Sequence, residues 1–85
     1  MFDWDAENER HIARLTRAEV EHVLTDPIAR DIDMEVVDGE ERITVIGATG
    51  DGRLFLVVYS ERNGRIRPVT AFRAPSRYRP YYEQR

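Results

Sequence analysis

Asn63-Gly64 sits between two strand-like runs, Arg53–Glu61 and Arg65–Phe72, and no other dipeptide in the chain restricts its folding as much. Asn-Gly accepts the positive φ angles of a two-residue turn, so the runs must fold back on one another as an antiparallel hairpin. Such a turn also sets the register. It places Arg62 opposite Arg65, Ser60 opposite Arg67, Val58 opposite Val69 and Leu56 opposite Ala71. Directly paired residues share a sheet face. One face then reads Leu54, Leu56, Val58, Val69 and Ala71, turning polar with Ser60, Arg62, Arg65 and Arg67; the other carries Phe55, Val57, Tyr59, Ile66 and Phe72. Both faces are apolar at mid-strand, so both need cover. Two helices can cover one; the C-terminal tail or a partner must cover the other. Pro68 has no N–H to give, which places the last strand at an edge or beside a bulge.

The rest of the chain supplies those layers. Phe2-Asp3-Trp4 reads as a short strand or extended lead-in, and Asp5 can cap a first helix over roughly residues 6–14, with Ile12 as its apolar contact. Thr16-Arg17-Ala18-Glu19 is a capping box flanked by Leu15 and Val20 as a hydrophobic staple. Val20, Val23 and Leu24 form one apolar stripe, and Asp26-Pro27 ends the second helix. Alternation then takes over. Ile32, Met34 and Val36 point one way and Asp31, Asp33 and Glu35 the other, which predicts a half-buried strand. Asp38-Gly39 is a second hairpin signal, Ile43–Ile46 the return strand, and Gly47–Gly52 a flexible loop. Arg53–Glu61 is the most apolar strand and should be central. The tail, Ala74–Arg85, forms a short C-terminal helix if it starts near Arg77, because Pro80 then falls in the first turn. The expected fold is a single α+β domain over residues 1–85: two N-terminal helices, a four-stranded antiparallel sheet and a short C-terminal helix.

An 85-residue chain makes one domain with a thin core, which a partner or a second copy (a homodimer) would help to stabilise. It has no cysteine, which excludes disulfides and cysteine-held metals and favours a reducing cytoplasm. The N-terminus lacks the pattern of a signal peptide, and the longest apolar run, Leu54–Tyr59, is far too short to span a membrane. The net charge of −3 hides a division: residues 1–52 carry five Arg against fourteen acids, residues 53–85 eight Arg against two. All thirteen basic residues are Arg. Genome composition can explain the absence of Lys, but the clustering in the last third points to a surface for phosphate or another polyanion. The acidic half would not bind RNA; it could pair with the basic end of another protein.

Other chemistry is sparse. His11 and His22 are the only histidines and lie on different predicted helices, with no set of convergent zinc ligands. His22 reads as a helix-surface residue. His11 is the better acid–base candidate, since an imidazole changes charge near neutral pH, although a plain polar helix position would look the same. The glycines of residues 47–52 are not followed by a Lys-bearing helix, so no phosphate loop forms. The carboxylates of residues 31–41 read as a solvated face. Tyr78, Tyr81 and Tyr82 can stack on bases or pack the tail onto the sheet.

The order of these motifs resembles the BrnT toxin family, within the broader RelE-like fold. The resemblance runs through Phe2-Asp3-Trp4-Asp5, His11-Ile12-Ala13-Arg14 with Thr16–Val20, Asp26-Pro27, Glu41-Arg42-Ile43 to Gly47, Arg53-Leu54, Val57–Arg62, Arg65–Ala71 with Arg73-Ala74, and Tyr82-Glu83. It implies a ribonuclease-type toxin of a type II toxin–antitoxin pair that cleaves RNA without metal or cofactor. Its implied partners are RNA and a ribbon-helix-helix antitoxin.

By position, Arg62 and Arg73 match the family's basic sites in the last two strands, with Arg53 and Arg67 beside them and Arg14 before the helix junction. With His11 and Tyr78, Arg62 and Arg73 make the candidate catalytic set; Arg53, Arg65, Arg67 and Tyr82 are candidate RNA contacts. Two departures stand out. The His-Gly pair that joins the family's helices is absent, and the glutamate of its C-terminal helix is Tyr78 here. Proton transfer would then fall to His11 or Tyr78. If it is lost, the chain is a degenerate binding module that contacts an antitoxin-like partner without cutting RNA. A third reading is a domain with no RNA role.

Overall fold

The computed structural model describes residues 2–12 and 15–83. Two helices come first, α1 (Ala6–His11) and α2 (Arg17–Thr25). Four strands follow, β1 (Arg30–Val37), β2 (Glu40–Ala48), β3 (Leu54–Arg62) and β4 (Arg65–Arg73). A 3₁₀ turn, Ser76–Tyr78, leads into a last helix, α3 (Arg79–Glu83). The strands form one antiparallel sheet in the order β1-β2-β3-β4. The α+β class, the element order and the sheet are those expected from the sequence.

Both helix starts are capped as their residues require. Asp5 accepts from the Asn8 backbone N–H at 2.9 Å, and the Asn8 side chain takes the Asp5 N–H at 2.8 Å. Thr16 and Glu19 make the same reciprocal pair. α1 is shorter than expected. Ile12 is its C-cap, and residues 13 and 14, which the expected helix included, lie outside the described residues. Arg14 is therefore not placed. Pro80 is the second residue of α3, where its missing N–H costs no helical bond.

Both hairpins turn as predicted, with Asp38, Gly39, Asn63 and Gly64 all at positive φ. Arg62 pairs with Arg65 and Ser60 with Arg67. Beyond that the predicted register fails. A bulge between Val58 and Tyr59 leaves Val69 extra, so Val58 pairs with Thr70 and Leu56 with Phe72. The cause is local: an additional residue beside Pro68 reverses the facing of everything after it. Ala71 therefore joins Val57 on one face and Phe72 joins Leu56 on the other.

The inner face carries the core. Val45, Phe55 and Val57 pack with Val20 and Val23 of α2 and with Ile12, and Trp4, Leu15, Tyr59 and Ala71 close its borders. Gly47 lies in β2 and is buried, rather than in a flexible loop, because α2 sits directly on it. The N-terminal segment runs beside β4, where the Asp3 N–H bonds the Ile66 carbonyl at 2.8 Å. The outer face is covered in part by the C-terminal tail, whose Tyr78 and Tyr81 wall a groove with Ile32, Leu56 and Phe72. β1 is not the half-buried strand that its alternation predicts. Met34 and Val36 are 53% and 62% exposed. A bulge at Ile32 also breaks the predicted alternation: Asp31, opposite Val45, shares a face with Met34, opposite Ile43, while Ile32 lines the outer groove beside Asp33.

Candidate functional site

α1 lies along β4. It turns Ile12 into the inner core, while Glu7, Asn8 and His11 line a cleft together with Glu40, Arg42, Arg62, Arg67 and Thr70 from the sheet. The cleft encloses about 440 Å³, within the range of small-ligand sites. Its floor belongs to the outer face, because Arg67 pairs with Ser60 two residues from Arg62. The arginines are held differently. Arg67 is only 14% exposed and donates to Asp5 at 2.8 Å, fastening the first residue before α1 to β4. That bond holds the Arg67 guanidinium charged, and Asp5 lies below the usual carboxylate range through the Asn8 N–H and then Arg67. Arg62 and Arg42 both reach Glu40, at 3.3 and 3.4 Å. Burial pushes the Glu40 carboxyl up, but the two guanidiniums outweigh it and keep it ionised. Ser60 is fully buried on the same face, and its Oγ has no hydrogen-bond partner among the described residues.

His11 thus stands in one cleft with Arg62 and Arg67. The other expected site residues lie elsewhere. Arg73 pairs with Phe55, at the far end of β3 from Arg62. At about 3.3 Å per residue, the two rows are roughly 23 Å apart, too far for both arginines to hold one phosphate. Arg73 instead lines a second cleft with Arg53, Arg79 and Asp51. There Arg53 is engaged by Glu19 at 2.9 Å and Asp51 at 2.8 Å, whereas Arg73 has no ion pair among the described residues. Arg65 is exposed at the hairpin end. Tyr78 stacks obliquely with Tyr81, their ring centres 6.0 Å apart, in the groove that includes Phe72 and Thr44. Tyr82 is committed to packing: its hydroxyl donates to Asp26 at 2.6 Å and ties α3 to the end of α2. The basic cleft and the aromatic groove meet on the outer face at one cross-strand row, Thr44–Val58–Thr70.

Arg42 was not singled out by sequence reasoning, and Glu40, read there as part of a solvated face, is instead a paired residue of the cleft. Both alternate along a strand among acids, and only the cross-strand approach of Arg62 distinguishes them. Among the described residues, no group of three or more His, Asp or Glu side chains converges to hold a metal ion. Among the same residues no helix is long and apolar enough to cross a membrane.

Fold and cleft together define a small α+β domain whose sheet is closed by helices on one face and carries clustered arginines on the other. The chain belongs to the family described as the ribonuclease toxin, BrnT, of the type II toxin-antitoxin system, whose model matches residues 4–77. No curated protein matched the chain. Membership implies a ribonuclease toxin with an antitoxin as its partner. The matched segment stops one residue before Tyr78, so the candidate tyrosines of the tail lie outside it.

Proposed function

We propose that the chain is an RNA-cleaving toxin of RelE-like fold whose reaction centre is the outer-face cleft between α1 and the β3–β4 hairpin. The observation that carries this reading is the convergence of His11 with Arg42, Arg62 and Arg67 in one concave site. Guanidiniums suit phosphate oxygens in charge and planar geometry. Arg62 and Arg42 hold the scissile phosphate and offset the charge that builds on it in the transition state. The ribose 2′-oxygen attacks the neighbouring phosphorus and the bond to the 5′-oxygen breaks. His11 takes the 2′-hydroxyl proton, and the leaving oxygen takes one from solvent. The nucleophile comes from the substrate itself, so no metal-bound water is required, and we propose that the reaction is metal-independent.

Arg67 positions α1, and with it His11, rather than touching the phosphate. The Phe72, Tyr78 and Tyr81 groove lies on the same face, its Phe72 row about 13 Å along β3 from the Arg67 row, and stacks the bases of a short single strand. Arg53, Arg65 and Arg73 meet backbone further along. A ribbon-helix-helix antitoxin restrains the enzyme in the cytoplasm.

The test is the purified protein, freed of antitoxin, on single-stranded RNA with and without chelator. Wild type should cut in both, and His11→Ala should cut at least about a hundredfold more slowly. A folded wild-type protein that leaves RNA intact would sink the proposal and leave the two non-cutting readings.

A further inference from the structure

We propose that Glu40 is a built-in competitor for the phosphate site: its carboxylate lies between the Arg42 and Arg62 guanidiniums and must leave before an RNA phosphate can enter. The inference rests on the reading of the cleft as the reaction centre. Each Glu40 oxygen is taken by a different guanidinium, Oε1 by Arg42 Nε and Oε2 by Arg62 Nη2, as two oxygens of a phosphate would be. The arginines with a structural duty hold their carboxylates tightly, Arg67 to Asp5 at 2.8 Å and Arg53 to Glu19 at 2.9 Å. The Glu40 contacts, at 3.3 and 3.4 Å, are half an ångström longer, beyond the usual length of a charge-assisted bond. Glu40 is therefore the loosely held anion of the cleft.

Its place in the chain allows it to move. Glu40 is the first residue of β2, directly after the Asp38-Gly39 turn, and its side chain is 29% exposed. His11 lines the same cleft, so an anion that replaces the carboxylate shares that cavity with the proton carrier. With the carboxylate in place one of the two guanidinium charges is offset, which weakens attraction for nonspecific polyanions. RNA that also engages the aromatic groove gains the extra contacts needed to displace it.

The experiment is binding of a short fluorescent single-stranded RNA, 2′-O-methylated so that it cannot be cut, to wild type, Glu40→Gln and Arg62→Ala. Glu40→Gln should bind about threefold more tightly, the worth of one exposed ion pair. Its plot of log affinity against log salt should be steeper by about 0.7, for one uncompensated cation. Arg62→Ala should bind more weakly. Thermal melts check that each variant is folded; if Glu40→Gln is not, Glu40→Asp, too short to bridge both guanidiniums, should show the same tightening at smaller size. Unchanged or weaker binding by the Glu40 variants, with Arg62→Ala still weakened, overturns the inference and leaves the cleft reading intact. Loss of cutting in Glu40→Gln without tighter binding overturns it as well, and makes the carboxylate a proton carrier. If wild type does not bind and Arg62→Ala makes no difference, both readings fall.

Discussion

Replacing Gly47 with Ala tests the packing that holds the helical layer on the sheet. Gly47 is opposite Phe55 in the β2–β3 ladder and lies beneath α2. A Cβ there would stand 2.7 Å from the Val23 carbonyl oxygen, 2.9 Å from Val23 Cγ1 and 3.3 Å from Ala29 Cβ. Ordinary contact starts near 3.4 Å, so the end of α2 must lift by roughly half an ångström or more. A side chain could rotate aside, but the nearest atom is backbone. Val20 and Val23 are both fully buried and must move with the helix. Overfilling a packed core costs about 1–3 kcal/mol. Losing the conformational freedom of a strand glycine returns about 0.5–1 kcal/mol. The net is a destabilisation of about 1–2 kcal/mol, which in a domain this small lowers the melting temperature by roughly 5–15 °C. Circular dichroism melts of Gly47→Ala beside Gly50→Ala provide the measurement. At Gly50 the nearest atom to an added Cβ is His22 Cε1 at 3.9 Å, so that variant should melt close to wild type. If Gly47→Ala melts with wild type, the close approach of α2 to β2 is not as described and the packing argument fails.

Arg62→Ala should slow RNA cleavage about a hundredfold, the usual worth of a donor to a developing oxyanion, whereas Arg73→Ala, in the other cleft, should change the initial rate by less than about threefold. Equal losses would mean that the two arginines serve one site. Asp26 is held below the usual carboxylate range: burial raises it, but the Tyr82 hydroxyl and the Ile28 and Ala48 N–H groups outweigh burial. A depressed folded value contributes stability that is complete above the unfolded pKa of about 3.9 and is lost as pH falls through the folded value. Asp26→Ala should therefore melt below wild type at pH 7, with the gap closing below about pH 4; a gap independent of pH would refute this. Ser60→Ala removes a fully buried hydroxyl with no partner among the described residues and should stabilise the protein by about 1 kcal/mol in urea titrations, whereas a loss of stability would show that the hydroxyl is bonded.

Much of the architecture was legible because it rests on local chemistry. Asp5, Thr16, Asp26-Pro27, Asp38-Gly39 and Asn63-Gly64 mark the starts, stops and turns, and each acts through its own backbone or a neighbour three residues away. What escaped was what depends on a single residue's parity or on a distant layer. Pro68 announced an irregularity in the last strand but not its position, and the extra Val69 moved Ala71 and Phe72 to the opposite faces. Met34 and Val36 carry the pattern of a buried strand, but the C-terminal tail meets β1 near Ile32 and leaves them uncovered. The candidate site was half visible. His11, Arg62 and Arg67 do meet, but matching Arg62 and Arg73 by family position overlooked the hairpin register, which already put Arg73 at the end away from Arg62. Tyr82 looked like a stacking residue because its bond to Asp26 spans most of the chain.

The Asp3–Ile66 bond bears on how copies of the chain can meet. It occupies part of the outer margin of β4, leaving β1 as the sheet's longer open rim. Two molecules joining rim to rim there would crowd Asp31, Asp33 and Glu35 of one against the same carboxylates of the other. Mutual repulsion along that seam opposes fibre-like stacking, while a cationic strand from a different polypeptide would meet no such barrier.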